Sequence, residues 1–155
     1  MITVQTEDFN IQEEHQALLE RADNIGAVVT FTGLVREFYQ SSGEKDAKRV
    51  ETLTLEHYPG MTEKALQEIL TEAESRWEIL ASRIIHRVGE LKVGEQIVYV
   101  AVASSHRQDA FAAAEFLMDY LKTRAPFWKK QRTSEQESWI EARNSDDEAA
   151  SRWQQ

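Results

Sequence analysis

Apolar and polar positions follow two alternating rhythms, one helical and one extended, with punctuation between them. Ile11, Leu18, Leu19 and Ala22 fall near one helical face, and Asn10 with Glu13 three residues on makes a capping-box pair at its start. From Gly26 the run GAVVTFTGLV is β-branched, aromatic and uncharged, which predicts a strand buried on both sides and ending beside Arg36. REFYQSSGEKDAKRVE has no apolar period, so residues 37–50 are expected to form a long mobile loop. Strand alternation resumes in TLTLEHY and stops at Pro59 and Gly60. Leu66, Ile69, Leu70, Ala73 and Trp77 then recur at helical spacing after a Thr62 cap. SRIIHRVG alternates, GELKVGE turns, and QIVYVAVA is apolar on both faces, so a pair of central strands is predicted. Ser105 and Gln108 form a second capping box before a stripe of Ala110, Phe111, Ala114, Leu117, Met118 and Leu121. Pro126 ends that helix by pushing Ala125 toward extended geometry. A hairpin around TSEQE follows, and Ser145 with Glu148 predicts a short last helix in an acidic tail over residues 144–155. This irregular order of helices and strands predicts an α+β fold rather than a doubly wound parallel sheet.

Composition narrows the class. A chain of 155 residues, 41% of them hydrophobic, suits one domain spanning residues 1–155. No window holds the roughly 18 unbroken apolar residues of a membrane span, and MITVQTEDFN lacks the basic start and apolar run of a signal peptide, so a cytoplasmic protein is expected. The absence of cysteine excludes disulfides, a thiolate nucleophile and thiolate-ligated metal. No two histidines are spaced to make a helical metal site, so neither metal nor cofactor is expected. A net charge of -9 disfavours general binding to nucleic acid, and any anion has to be met locally.

One stretch opposes that charge. DYLKTRAPFWKK gathers Lys122, Arg124, Lys129 and Lys130 against the single acid Asp119. Each cation has an ordinary explanation: Lys122 complements the helix dipole, and Lys129 is a strand lysine flanked by aromatics. Together, around a proline-fixed turn with two aromatic anchors, they can bind an anion, and neighbouring cations lower a lysine's pKa toward acid, base or nucleophilic use. His106 and Arg107 form a second group in the first helical turn, where phosphates bind but cations are disfavoured. Arg36 closes a strand before a loop, a frequent place for a binding residue. His57 and His86 alternate with apolar neighbours and read as hydrogen-bonded sheet histidines. Fifteen residues separate Arg107 from Lys122, about 22 Å along a straight helix, so one small ligand cannot touch both ends. Either the helix breaks or two subunits share the site, which predicts a symmetric homodimer.

GAVVTFTGLVR, LTLEHYPGMTEKAL, HRVGEL, SSHRQDAF, DYLKTRAPFWKK and WIEAR occur together and in the order of the MoaE family, the large catalytic subunits of molybdopterin synthase. The resemblance runs from about Gly26 to Arg143. It implies an α/β hammerhead-like fold with an added small antiparallel sheet, and a homodimer at the centre of a heterotetramer. The implied partner is a small ubiquitin-like sulfur carrier whose Gly-Gly terminus, a thiocarboxylate, enters a pocket of the large subunit. The implied reaction moves sulfur from that terminus to cyclic pyranopterin monophosphate (precursor Z), forming the dithiolene of molybdopterin. By this resemblance Lys122 and Lys129 are the active-site lysines, and Arg36, His106, Arg107 and Arg143 contact the substrate. Phe31 and Met118 are implied pocket walls. A non-catalytic module that receives an acidic partner C-terminus is the alternative reading.

Overall fold

In the computed structural model the described residues are 1–39, 48–133, 137–140 and 144–154. The pair of central strands is present: β5 (Ala81–Arg87) and β7 (Gln96–Ser104) run antiparallel, with Ile84 opposite Val100. Beside β7 lies β2 (Ala27–Leu34), antiparallel, and beside β5 lies β1 (Ile2–Gln5), parallel, completing a four-stranded sheet. Both faces of its centre are covered, which is why QIVYVAVA is apolar throughout. On one face Val98, Val100 and Val102 pack with Leu66, Ile69 and Leu70 of α2 (Met61–Arg76) and with Phe116 and Leu117 of α3 (Arg107–Arg124). On the other, Tyr99, Ala101 and Ala103 meet Leu18 of α1 (Ile11–Leu19).

The second sheet is built on β4 (Lys48–His57). Its neighbours are β8 (Phe127–Thr133), β6 (Gly89–Lys92) and the two-residue β3 (Phe38–Tyr39), and β9 (Glu137–Ile140) extends it beyond β8. Val35, Val50, Leu53, Leu55, Val88 and Leu91 form a core where the two sheets meet. The last helix, α4 (Asn144–Ser151), is followed by Trp153, whose ring packs edge-on against Trp77 and Phe116. The indole N–H of Trp153 donates to Asp119 at 2.6 Å, so this part of the acidic tail is tied to α3.

Several sequence expectations need correction. β2 is not buried on both sides: among the described residues it is the sheet's edge, and Phe31 and Leu34 are exposed. Residues 38–39 and 48–50 of the expected mobile loop are paired strand, because Phe38 and Tyr39 find partners in Arg49 and Lys48. The 40–47 part of that loop lies outside the described residues. Phe111 leaves its predicted stripe and is 62% exposed. The start of α2 is Gly60, at φ 84°, whose N–H donates to Glu63, rather than a Thr62 cap. Thr62 instead accepts from the Tyr58 N–H and donates to the Pro126 carbonyl, fastening the start of α2 to the turn after α3. Nor does Ser105 cap α3. His106 occupies the cap position without a side-chain bond, and the Ser105 hydroxyl donates to Glu78, far away in sequence.

Candidate active site

The cations of DYLKTRAPFWKK separate into two pairs. Arg124 donates to Glu72 at 2.8 Å and lies over the Tyr120 ring, so it serves the last turn of α3. Lys130 lies 4.0 Å from Glu137 and over the Trp139 ring, on the outer face of β8. Lys122 and Lys129 both line a cavity of about 550 Å³ at the junction of the two sheets. Local geometry explains the sorting. Ala125 is extended (φ -86°, ψ 128°), so the chain leaves α3 directly into β8. There, strand alternation places Phe127 and Lys129 on one face and Trp128 and Lys130 on the other.

Arg36 reaches the same cavity from the end of β2, and Phe31 lines it as well. Leu53 of β4, Ile97 of β7 and Ile140 of β9 supply apolar wall. Asp146 of α4 is the acid on the lining among the described residues. Within this basic, partly dry space Lys129 is pushed down to about 8, chiefly by burial, then by the charge and hydrogen bonding of Lys122, with Arg36 adding a smaller repulsion against the opposing pull of Asp146. Two ammonium groups cannot hydrogen-bond each other, so the close approach of these lysines favours one neutral amine.

The folded-state value lies below the ordinary lysine value of 10.5, so the unfolded chain holds more protons between about pH 8 and 10.5. Stability therefore rises with pH across that window, and below it the folded protein bears the full burden of the buried charge. Lys129→Met is expected to raise Tm at pH 7 and to lose that advantage by about pH 10.5. Thermal unfolding of both proteins at the two pH values tests this; a variant less stable than wild type at pH 7 would contradict it.

The remaining sequence candidates lie elsewhere. α3 is unbroken over 18 residues, about 27 Å, so His106 and Arg107 sit at the end opposite Lys122 and do not line the cavity. Met118 packs against the main core, away from the cavity lining. Arg143 lies outside the described residues. Phe127, one of the two aromatic anchors expected from the sequence, lines the cavity two residues before Lys129 on the same strand. Asp146 and the cavity position of His86 were not expected, because both arrive by long-range packing that no local pattern reveals. Among the described residues, no three His, Asp or Glu side chains gather to hold a metal ion.

The family model described as MoaE protein matches residues 4–124. The chain belongs to the MoaE family. The molybdopterin synthase catalytic subunit of Escherichia coli K12 is 55% identical over 152 residues, covering 98% of this chain and 97% of that one. A solved MoaE protein of molybdopterin biosynthesis from Burkholderia ambifaria MC40-6 is 50% identical with a TM-score of 0.82, covering 99% and 97%. The crystal structure of molybdopterin synthase from Staphylococcus aureus matches at 31% identity and TM-score 0.77, covering 89% of this chain and 95% of its own. The Escherichia coli and Burkholderia relatives, covering 98% and 99% of this chain, extend past the family model's end and over the Lys129 strand. The α+β architecture is therefore that of MoaE proteins.

Proposed function

We propose that this MoaE protein, acting as one cytoplasmic domain, is the sulfurtransferase subunit of a molybdopterin synthase. It takes sulfur from the C-terminal thiocarboxylate of a small ubiquitin-like carrier and delivers it to cyclic pyranopterin monophosphate, forming the dithiolene. The observation that carries this reading is the meeting of Arg36, Lys122 and Lys129 in one cavity of an otherwise acidic protein. Both reactants are anions, and such a cluster holds them together where solvent screening is weak. The apolar wall suits the extended carrier tail. The thiocarboxylate sulfur displaces a hydroxyl, lost as water, from the hydrated-ketone carbon of the pterin, and a water then cleaves the acyl–sulfur bond, returning the carrier terminus as a carboxylate. Lys122 acts at the thiocarboxylate or hydrated-ketone carbon, as a nucleophile that is displaced again or as the acid that protonates the departing oxygen, and Lys129 steadies developing negative charge. With its pKa near 8, Lys129 is neutral in about a tenth of molecules at pH 7, so the pair can also pass a proton.

His106 and Arg107 enter this scheme through a second subunit. An unbroken α3 leaves a symmetric homodimer as the way for them to reach a partner's cavity and hold substrate phosphate, with Arg143 as a further contact. Sedimentation is expected to give a dimer across working concentrations, and a monomer would remove this shared site. The reaction itself is tested by mixing the protein with thiocarboxylated carrier and cyclic pyranopterin monophosphate and following molybdopterin. Carrier binding without product would indicate a binding module that has kept the pocket and lost its chemistry.

A further inference from the structure

The cavity contains a histidine that the sulfur-transfer scheme leaves unused. His86, in β5, is 3% exposed and lines the cavity beside Lys122 and Lys129. Two contacts fix its ring. Nδ1 lies 2.8 Å from the carbonyl oxygen of Arg87, and the imidazole stacks on Phe127 at 3.7 Å between centroids and 17° between planes. A carbonyl oxygen can only accept, so Nδ1 carries the proton. In the neutral ring Nε2 then presents a lone pair, and no hydrogen-bond partner meets it among the described residues.

The ring stays neutral for physical reasons. Burial is the main one; the charges of Lys129, Lys122 and His57 add to it and outweigh the bond to the Arg87 carbonyl, placing the pKa at about 3. His86 is therefore no proton donor near neutral pH. It is a fixed acceptor.

Among the described residues, the side-chain acceptors on this lining are the Thr32 hydroxyl, the Asp146 carboxylate and His86 Nε2, and of these the His86 ring is the one held in place by both a backbone bond and a stacked ring. The charged groups Arg36, Lys122 and Lys129 are donors and match a terminal carboxylate or thiocarboxylate. A peptide tail brings more than its terminus, because each buried backbone N–H also needs an acceptor. Asp146 can accept, but its negative charge is drawn to the lysines. Resting on the sulfur-carrier reading above, we propose that His86 Nε2 accepts a hydrogen bond from a backbone N–H of the carrier's Gly-Gly tail. The bond sets the depth and rotation of the tail, so that its terminal carbon meets Lys122 and Lys129. Phe127 links the two functions, since the strand that carries Lys129 also supplies the ring that holds His86.

The test measures binding of purified carrier, ending in its free Gly-Gly carboxylate, and of the same carrier lacking those two residues. The proteins are wild type, His86→Phe and His86→Gln. Phenylalanine keeps an aromatic ring against Phe127 and removes the acceptor, whereas glutamine restores an acceptor oxygen. The intact carrier is expected to bind His86→Phe about tenfold more weakly than wild type, with much of that regained in His86→Gln. The truncated carrier is expected to bind wild type and His86→Phe alike, isolating the coupling between ring and tail. Equal weakening toward both carriers, or none toward the intact one, would overturn the proposal. So would normal carrier affinity with a raised KM for the pterin alone, which would assign Nε2 to the other substrate. Nitrogen NMR of His86 in the wild-type protein gives a reading that does not depend on variant folding. The Nδ1–H tautomer should persist from about pH 5 to 8, and Nε2 should shift when intact carrier binds. An Nε2–H tautomer would exclude the acceptor role even if no carrier bound. Failure of wild type to bind carrier at all would count against the sulfur-transfer reading itself.

Discussion

Lys122→Ala is expected to lower molybdopterin formation by at least about a hundredfold while leaving the fold largely intact. Structural loss should be small because Lys122 is exposed on the last turn of α3 and Arg124, paired with Glu72, remains to complement the helix end. Chemical loss should be large. In the proposed scheme Lys122 acts at the reacting carbon, and its approach also helps hold Lys129 near pH 8. In the variant the Lys129 value should therefore move up toward the ordinary lysine range, an effect separable from the missing amine. Lys122→Arg restores charge without an amine that can lose its proton near neutral pH, so it should also be severely impaired. Product formation by Lys122→Ala within tenfold of wild type would exclude a chemical role for this side chain. If Lys122→Arg alone retained activity, Lys122 would be an electrostatic anchor. Borohydride trapping separates the two chemical roles: a lysine adduct favours nucleophilic attack, and persistent failure to obtain one favours acid catalysis.

Much of this site was legible locally. The apolar stripe of α3, the Ala125-Pro126 break and the alternation after it lie within twenty residues, so the turn that brings Lys122 and Lys129 together could be read from the chain. Helix length is local information too, since an unbroken α3 keeps His106 far from Lys122. What escaped depends on distant partners. β1 is four residues of mixed polarity and is a strand because β5 accepts it in parallel. An apolar run such as GAVVTFTGLV suits a central or an edge position, and what decides is that, among the described residues, no further strand joins its sheet beyond β2. Ser105 looked like a local cap, yet its hydroxyl donates to Glu78, which arrives from the segment after α2. His86 was correctly read as a hydrogen-bonded sheet histidine, but its place on the cavity wall arises only when β8 brings Phe127 onto its ring.

The corner where β7 enters α3 supports the second large effect. Gly26→Ala is expected to destabilise the protein by about 3 kcal/mol, lowering Tm by roughly 6–12 °C for a chain of this size. The Gly26 N–H donates to the Ser104 carbonyl at 3.0 Å, and a Cβ at Gly26 would lie 2.1 Å from the Ser105 carbonyl oxygen. The obstacle is space rather than backbone conformation. Neither side can retreat cheaply: the Glu78 carboxylate accepts from the Ser105 N–H at 3.0 Å and from the Ser104 hydroxyl at 3.1 Å, while Asp109 of α3 accepts from the Glu78 N–H at 2.9 Å. Gly94→Ala provides the contrast, because that site has a positive φ of 84° but nothing near the added carbon. Its expected cost is about 1 kcal/mol. Thermal unfolding of the two variants would discriminate the causes. If Gly26→Ala proved no worse than Gly94→Ala, the β7–α3 corner would have to yield freely. That would deprive His106, which this corner carries, of the rigid support that the proposed shared site requires.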